Sequence, residues 1–156
     1  MKKDEIQNLI KEIIEKTNVV VREVSFEEKN PKSVWFSVEV DNPYFFTSRG
    51  GEALSALNHL VKRIVETKLP PESSDGFEFL IDINGFQKKR IENIHAVAHM
   101  MAERARYFKS SIEVEPMSAF DRRVVHEFLS EATDLKTEST GEGISRRVVI
   151  KYTGEL

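Results

Sequence analysis

The chain has 156 residues, a formal net charge of −3 and no cysteine, which excludes disulfide bonds and thiolate metal sites. It is long enough for one ordinary domain or two small ones, and no apolar run approaches the roughly 18 residues of a membrane span. The N-terminus turns acidic at Asp4 and Glu5 and does not read as a secretory signal. We therefore expect a cytoplasmic protein without membrane insertion.

The first half of the chain begins with a predicted helix over residues 2–16, because its isoleucines recur at the spacing of one helical face. Four elements are predicted after it, in the order strand, strand, helix, strand: 19–28, 34–40, 52–67 and 77–83. The first two strands are expected to form a hairpin. Proline, serine and glycine at 69–76 predict a loop.

The second half is predicted to open with a long helix over residues 86–108, which keeps apolar residues in helical register. Its other predicted elements are a short strand, a helix and two strands: 110–115, 117–131, 135–140 and 147–152. The last two strands flank Gly141-Glu142-Gly143, which is typical of a hairpin. This order indicates an α+β fold.

The first candidate site is the turn Arg49-Gly50-Gly51, which leads into the predicted helix at Glu52. Backbone N–H groups and the dipole at a helix N-terminus favour an anion, and Arg49 adds a positive charge. The alternative is a tight turn that binds nothing. The motif of mononucleotide-binding P-loops is missing from the sequence.

The second candidate site is the run Arg122, Arg123 and His126 on the predicted helix over 117–131. Arg122 and His126 are four residues apart and share a helical face. Arginine suits bidentate contact with phosphate, and both residue types stack on bases. The alternative is a solvated face on which Arg123 pairs with Glu127. Four apolar residues of this helix are assigned to the core: Phe120, Val124, Phe128 and Leu129.

Two further basic clusters are candidates for phosphate contact. Arg146 and Arg147 follow the glycine turn, and the alternative for them is an edge strand protected by charge. Lys88, Lys89 and Arg90 open the long helix, where positive charge is unfavourable. That misfit is explained if the cluster meets an anion, or if the helix boundary is misplaced.

His95 and His99 are spaced to share a metal ion, but the glutamate of a zinc protease helix does not follow His95. Core or surface histidines are the alternative, and we expect neither a metal nor a cofactor. No nucleophile elbow is present in the sequence. We therefore expect a protein that is not an enzyme.

Longer stretches of the chain resemble known domains. Arg122-Arg123-Val124-Val125-His126, with Glu115–Asp121 before it and Thr137–Ile150 after it, resembles the R-three-H domain in its bacterial form. The loop and helix that begin at Arg49-Gly50-Gly51 resemble a KH domain. Together the two cover nearly the whole chain, which resembles the Jag family (also called KhpB or EloR, the SpoIIIJ-associated proteins).

The resemblance implies a KH-like module, residues 1–84, with the order α-β-β-α-α-β, followed by an R-three-H module, residues 85–156. The helix that the sequence does not account for is expected near 42–46 or 69–76. The family's Gly-X-X-Gly clamp falls on Ser48-Arg49-Gly50-Gly51. We expect Ser48 to restrict the backbone there and to narrow the approach of nucleic acid.

In function, the resemblance implies binding of single-stranded RNA, or of single-stranded DNA, and a link to cell-envelope growth or division. Arg122, His126, Arg146 and Arg147 are then expected to contact phosphates and bases, with Arg49 to Gly51 as a weaker clamp. It also implies a homodimer or a heterodimer with a small single-KH protein. The alternative is a protein-interaction module whose KH half serves for dimerisation.

Overall fold

The computed structural model describes residues 2–68 and 77–154. The chain divides into two compact units, Met1–Lys88 and Lys89–Leu156. Each unit combines helices with one three-stranded sheet, which confirms the α+β fold class. No helix in the described ranges is both long enough and apolar enough to cross a bilayer.

The N-terminal unit has the order α-β-β-α-α-β that the resemblance to a KH domain implies. Its elements are α1 (Lys3–Glu15), β1 (Val21–Asn30), β2 (Ser33–Val40), α2 (Tyr44–Thr47), α3 (Glu52–Lys68) and β3 (Glu78–Ile83). Strand β2 lies between the other two, antiparallel to β1 and parallel to β3. The additional helix is α2, at one of its two expected positions. The other position, 69–76, lies outside the described residues.

The core of this unit follows from the two periodicities of the sequence. Alternate residues of β2 are buried on one face of the sheet, from Val34 to Val40. Helices α1 and α3 cover that face with apolar side chains at helical spacing, among them Ile10 and Val61. The periodicity of the sequence does not reveal helix α2, because four residues are too few to show a period. Its Phe46 is buried in the same core.

The C-terminal unit contains most of the long helix and a second sheet. Its elements are α4 (Phe86–Phe108, which begins in the first unit), β4 (Ile112–Glu113), α5 (Ala119–Leu129), β5 (Leu135–Thr140) and β6 (Arg147–Tyr152). Strand β6 lies between β4 and β5 and is antiparallel to both. The predicted hairpin of β5 and β6 is confirmed. The interpretation of the second strand as an edge strand is wrong, since it has a neighbour on each side.

One face of this second sheet is buried under α4 and α5. The core collects small residues of α4, such as Ala98 and Ala102, with Val125 of α5 and Ile150 of β6. The assignment of Phe128 to the core is wrong, since it is exposed and its ring stacks on His95 with the centroids 4.4 Å apart. Three other residues of α5 are buried: Val124, Val125 and Leu129.

The start of α4 shows how the chain tolerates lysine and arginine at a helix N-terminus. The buried Asp82 carboxylate accepts hydrogen bonds from the backbone N–H groups of Gln87, at 2.7 Å, and Lys88, at 3.1 Å. A carboxylate at this position satisfies unpaired donors and complements the helix dipole. The predicted helix boundary at Phe86 is therefore correct, and the anion that meets the helix end belongs to the chain itself.

Candidate nucleic-acid interface

The loop Ser48–Gly51 joins α2 to α3 and turns sharply. Arg49, Gly50 and Gly51 have φ values of 52°, 67° and 80°, the left-handed region that glycine adopts most readily. Ser48 has φ −65° and ψ 161°, an ordinary extended conformation. The backbone at the first clamp position is therefore compatible with serine, and the narrower approach of nucleic acid stays a prediction. The strained non-glycine residue is Arg49.

Gly51 is required by packing as well as by its backbone angle. A Cβ atom on Gly51 would lie 2.6 Å from Cε1 of Phe86, whose ring packs against the core of the N-terminal unit. The Gly51 N–H donates to the Ser48 carbonyl oxygen at 3.0 Å and so is not free for a phosphate. The tight-turn interpretation thus accounts for Gly51.

Arg49 is the one full positive charge carried by this loop. Its side chain is exposed and has no ion-pair or hydrogen-bond partner among residues 2–68 and 77–154. The exposed Glu52 stands in the first turn of α3. A phosphate at this loop would be attracted by Arg49 and repelled by the carboxylate of Glu52. Electrostatic attraction at the loop therefore depends on Arg49 alone.

In the C-terminal unit, two predicted arginines are held by backbone carbonyls. Nη1 of Arg122 donates to the Met117 oxygen at 2.8 Å, and Nη1 of Arg146 donates to the Gly141 oxygen at 2.7 Å. The Met117 N–H donates to the Arg146 oxygen at 3.2 Å, which ties the two arginine-bearing segments together. Both side chains are half-buried and keep further N–H donors.

His126 joins α5 to β5. Its Nδ1 lies 2.6 Å from Oγ1 of Thr137, and its Nε2 lies 2.9 Å from Oγ of Ser139. Burial lowers the pKa of His126 below 6.5, and the positive charge of Arg122 lowers it further. The ring is therefore neutral near pH 7 with both nitrogens engaged. We call Arg122, His126, Thr137, Ser139 and Arg146 the Arg122 cluster.

The pleat of the second sheet separates Arg147 from this cluster. Arg147 pairs across the sheet with Thr140, while Val148 pairs with Ser139. Side chains alternate between the faces of a strand, so Arg147 projects away from the face on which His126 lies. There its Nη1 lies 3.2 Å from Oε2 of Glu113. Phosphate contact by both Arg146 and Arg147 therefore stays a prediction, and Arg147 already faces a carboxylate.

The remaining predicted residues have different environments. Arg123 and Lys89 are exposed with no partner in the described parts of the chain, so the alternative in which Arg123 pairs with Glu127 is not observed there. Arg90 donates to Asp121 through two nitrogens, at 2.8 and 2.9 Å. Lys88, in the N-terminal unit, is exposed.

Within residues 2–68 and 77–154, no three histidine or acidic side chains are grouped to hold a metal ion.

The sequence analysis missed the partners that fix the Arg122 cluster. Thr137 and Ser139 alternate with outward residues of β5, and that period of two was the one available signal. Nothing in the sequence pointed to the Met117 carbonyl as an acceptor, because backbone acceptors carry no residue-specific pattern.

His126 makes the stability of the C-terminal unit dependent on pH. Because the folded state lowers the pKa of His126, the unfolded state binds more protons. The free energy of unfolding is therefore highest above pH 6.5 and falls as the pH drops from 6.5 through the lowered folded value. Urea unfolding followed by circular dichroism at several pH values measures this slope. His126→Gln should flatten it, while His99→Gln, at an exposed position, should not. If His126→Gln leaves the slope unchanged, His126 is not the origin of the pH dependence.

Comparison with known proteins identifies a known domain in the C-terminal unit. Residues 92–152 match the model of the R-three-H domain. The chain is 25% identical over 153 residues to the RNA-binding protein KhpB of Clostridium symbiosum, covering 97% of this chain and 67% of the relative. It is 26% identical over 149 residues to RNA-binding protein KhpB of Bacillus subtilis strain 168, covering 94% and 67%.

A third relative is more distant and longer. RNA-binding protein KhpB of Streptococcus pneumoniae serotype 2 is 21% identical over 151 residues, which cover 94% of this chain and 45% of the relative. The similarity to all three thus extends across both units. The chain therefore carries an R-three-H domain at residues 92–152 and is similar to the KhpB proteins over nearly its whole length.

Proposed function

We propose that this chain is a regulatory, non-enzymatic protein that binds single-stranded RNA, or single-stranded DNA, in the cytoplasm. The observation that carries the proposal is the Arg122 cluster, in which two guanidinium groups are each fixed by a backbone carbonyl within the R-three-H segment. The names of the relatives, all RNA-binding proteins, support the same ligand.

A fixed guanidinium group is well suited to phosphate. Arginine has five N–H donors, and Arg122 and Arg146 each use one of them on a carbonyl. The others remain for a phosphate, and less side-chain entropy is lost on binding because the group is already oriented. With a net charge of −3, the chain cannot attract polyanions by overall charge, so a local cluster has to supply the attraction.

The predicted site residues take different roles in this proposal. Arg122, Arg146 and the exposed Arg123 contact phosphates. His126 holds β5 against α5 and acts through position, since both ring nitrogens are engaged. Arg49 and Gly50 offer a second contact in the N-terminal unit, and Lys88 and Lys89 extend the basic surfaces of their own units. We assign no phosphate to Arg90 or Arg147, because each already faces a carboxylate.

Fluorescence anisotropy of a labelled single-stranded RNA tests the proposal. Arg122→Gln should weaken binding by about tenfold, the scale of a charged hydrogen bond. It should also reduce the log–log dependence on salt by about 0.7 for the lost phosphate contact. Lys136→Gln is the matched control, since it removes one exposed charge from the opposite face of the same sheet. Wild-type protein that binds no RNA or DNA pool, or equal losses in both variants, would reject the proposal.

Protein interaction through the N-terminal unit is a second candidate function. Strand β1, over Val21–Asn30, lies at the edge of its sheet with β2 as its neighbour. An edge of ten residues offers backbone groups to a further strand, from a second copy or from a single-KH protein. Sedimentation with and without RNA separates the two functions. A dimer that does not bind RNA, and whose sedimentation is the same with and without RNA, would favour this candidate.

A further inference from the structure

Two adjacent aromatic side chains of α2 stand in solvent beside the Ser48–Gly51 loop. Tyr44 is 74% exposed and Phe45 is 54% exposed, although the helix to which they belong is anchored by the buried Phe46. Single exposed apolar residues are common on protein surfaces. Two consecutive rings, held next to a loop that carries an exposed arginine, are a more specific arrangement.

The segment that carries these rings is rigid. The Tyr44 N–H donates to Oδ1 of Asn42 at 3.1 Å, and the Tyr44 oxygen accepts from the Ser48 N–H at 2.9 Å. The ring of Phe45 meets the ring of Phe46 edge to face, with the centroids 4.9 Å apart. Hydrogen bonds thus fix the helix at its start and at its end, and the buried Phe46 anchors it to the core. The backbone that carries both rings, and the ring of Phe45 itself, are therefore already placed, so that little conformational entropy is lost there when a ligand stacks.

The rings lie one helical turn before the loop. Tyr44 and Ser48 are joined by the last hydrogen bond of α2, and Arg49 follows directly. Exposed aromatic rings one helical turn before an exposed arginine present two features of a binding site for a single strand. One is a face on which a base stacks, and the other is a charge that meets the adjoining phosphate.

We infer that Tyr44 and Phe45 form a stacking platform for a nucleobase of single-stranded RNA whose phosphate contacts Arg49. This inference rests on the proposed function and adds to it a base-contacting surface in the N-terminal unit. The platform contributes affinity through stacking, which tolerates any base, and the loop contributes the salt-dependent part. Glu52 limits the contribution of the loop because its carboxylate lies in the next turn.

The test measures binding of the full chain to a labelled single-stranded RNA at several salt concentrations. Tyr44→Ala should weaken binding by about tenfold, the scale of base–aromatic stacking, and leave the salt dependence unchanged. Tyr44→Phe keeps the ring and should bind like wild type. Arg49→Gln should reduce the salt dependence by about 0.7. Since Tyr44 is mostly exposed, its substitutions should leave thermal unfolding unchanged.

An RNA strand without bases separates stacking from phosphate contact. Wild type and Tyr44→Ala should bind this abasic strand equally. If wild type binds ordinary RNA and Tyr44→Ala binds it equally well, the platform is overturned while the proposed function stands. If wild type binds no single strand, the proposed function falls and the platform falls with it. If Tyr44→Ala converts a dimer to a monomer without changing RNA affinity, the rings form a protein interface and the inference is wrong.

Discussion

Replacing Gly51 with alanine is expected to lower the free energy of unfolding of the N-terminal unit by about 2–5 kcal/mol, the sum of two contributions. One part is the strain of a side chain at φ 80°, about 1–2 kcal/mol. The other is overpacking against Phe86, whose Cε1 would lie 2.6 Å from the new methyl group, at about 1–3 kcal/mol. The side chain of Phe86 cannot move away freely, because it packs against the hydrophobic core.

Gly50→Ala is the matched control for this prediction. Gly50 has φ 67°, but a Cβ there meets nothing within 4 Å, so its substitution should cost about 1–2 kcal/mol through strain alone. Trp35, the single tryptophan, lies on β2 and reports urea unfolding of this unit by fluorescence. If both variants lose the same free energy of unfolding, contact with Phe86 is not the reason why position 51 requires glycine.

Arg90→Gln is expected to destabilise the C-terminal unit by about 1.5–3 kcal/mol, the scale of hydrogen bonds between charged groups. Arg90 joins α4 to the first turn of α5 through both oxygens of Asp121, and its guanidinium carbon lies 5.5 Å from the centre of the Phe120 ring. Both side chains of the ion pair are largely buried. The substitution therefore leaves a carboxylate with little access to water.

Lys89→Gln should change stability by less than about 0.5 kcal/mol, because Lys89 is exposed. Hydrogen exchange of the α5 amides measures the difference between the two variants. For RNA binding we expect the opposite ranking of the two variants. Lys89→Gln should reduce the salt dependence of binding, whereas the loss of the Arg90 charge should not. Equal amide protection in Arg90→Gln and wild type would contradict the structural role of the ion pair.

The sequence by itself determined the elements and their buried faces. Repeats of 3.6 and 2 residues are local properties, so they located α1, α3, α4 and the strands, and a glycine turn identified the hairpin of β5 and β6. The run from Arg122 to His126, together with Glu115–Asp121 before it and Thr137–Ile150 after it, indicated an R-three-H domain. Helix α2 was placed through the resemblance, because one turn has no measurable period.

Only the tertiary structure decided which basic residues are available to a ligand. Lys89 and Arg90 are neighbours in sequence, yet one is exposed and the other is bound to Asp121, 31 residues away. The register of β5 against β6 places Arg147 on the face of the sheet opposite to His126, while Arg146 is tied to the Arg122 segment by the hydrogen bond that its carbonyl oxygen accepts from the Met117 N–H. These outcomes depend on contacts between distant residues. A local pattern of charge carries no information about such contacts, because it does not specify which segments will pack together.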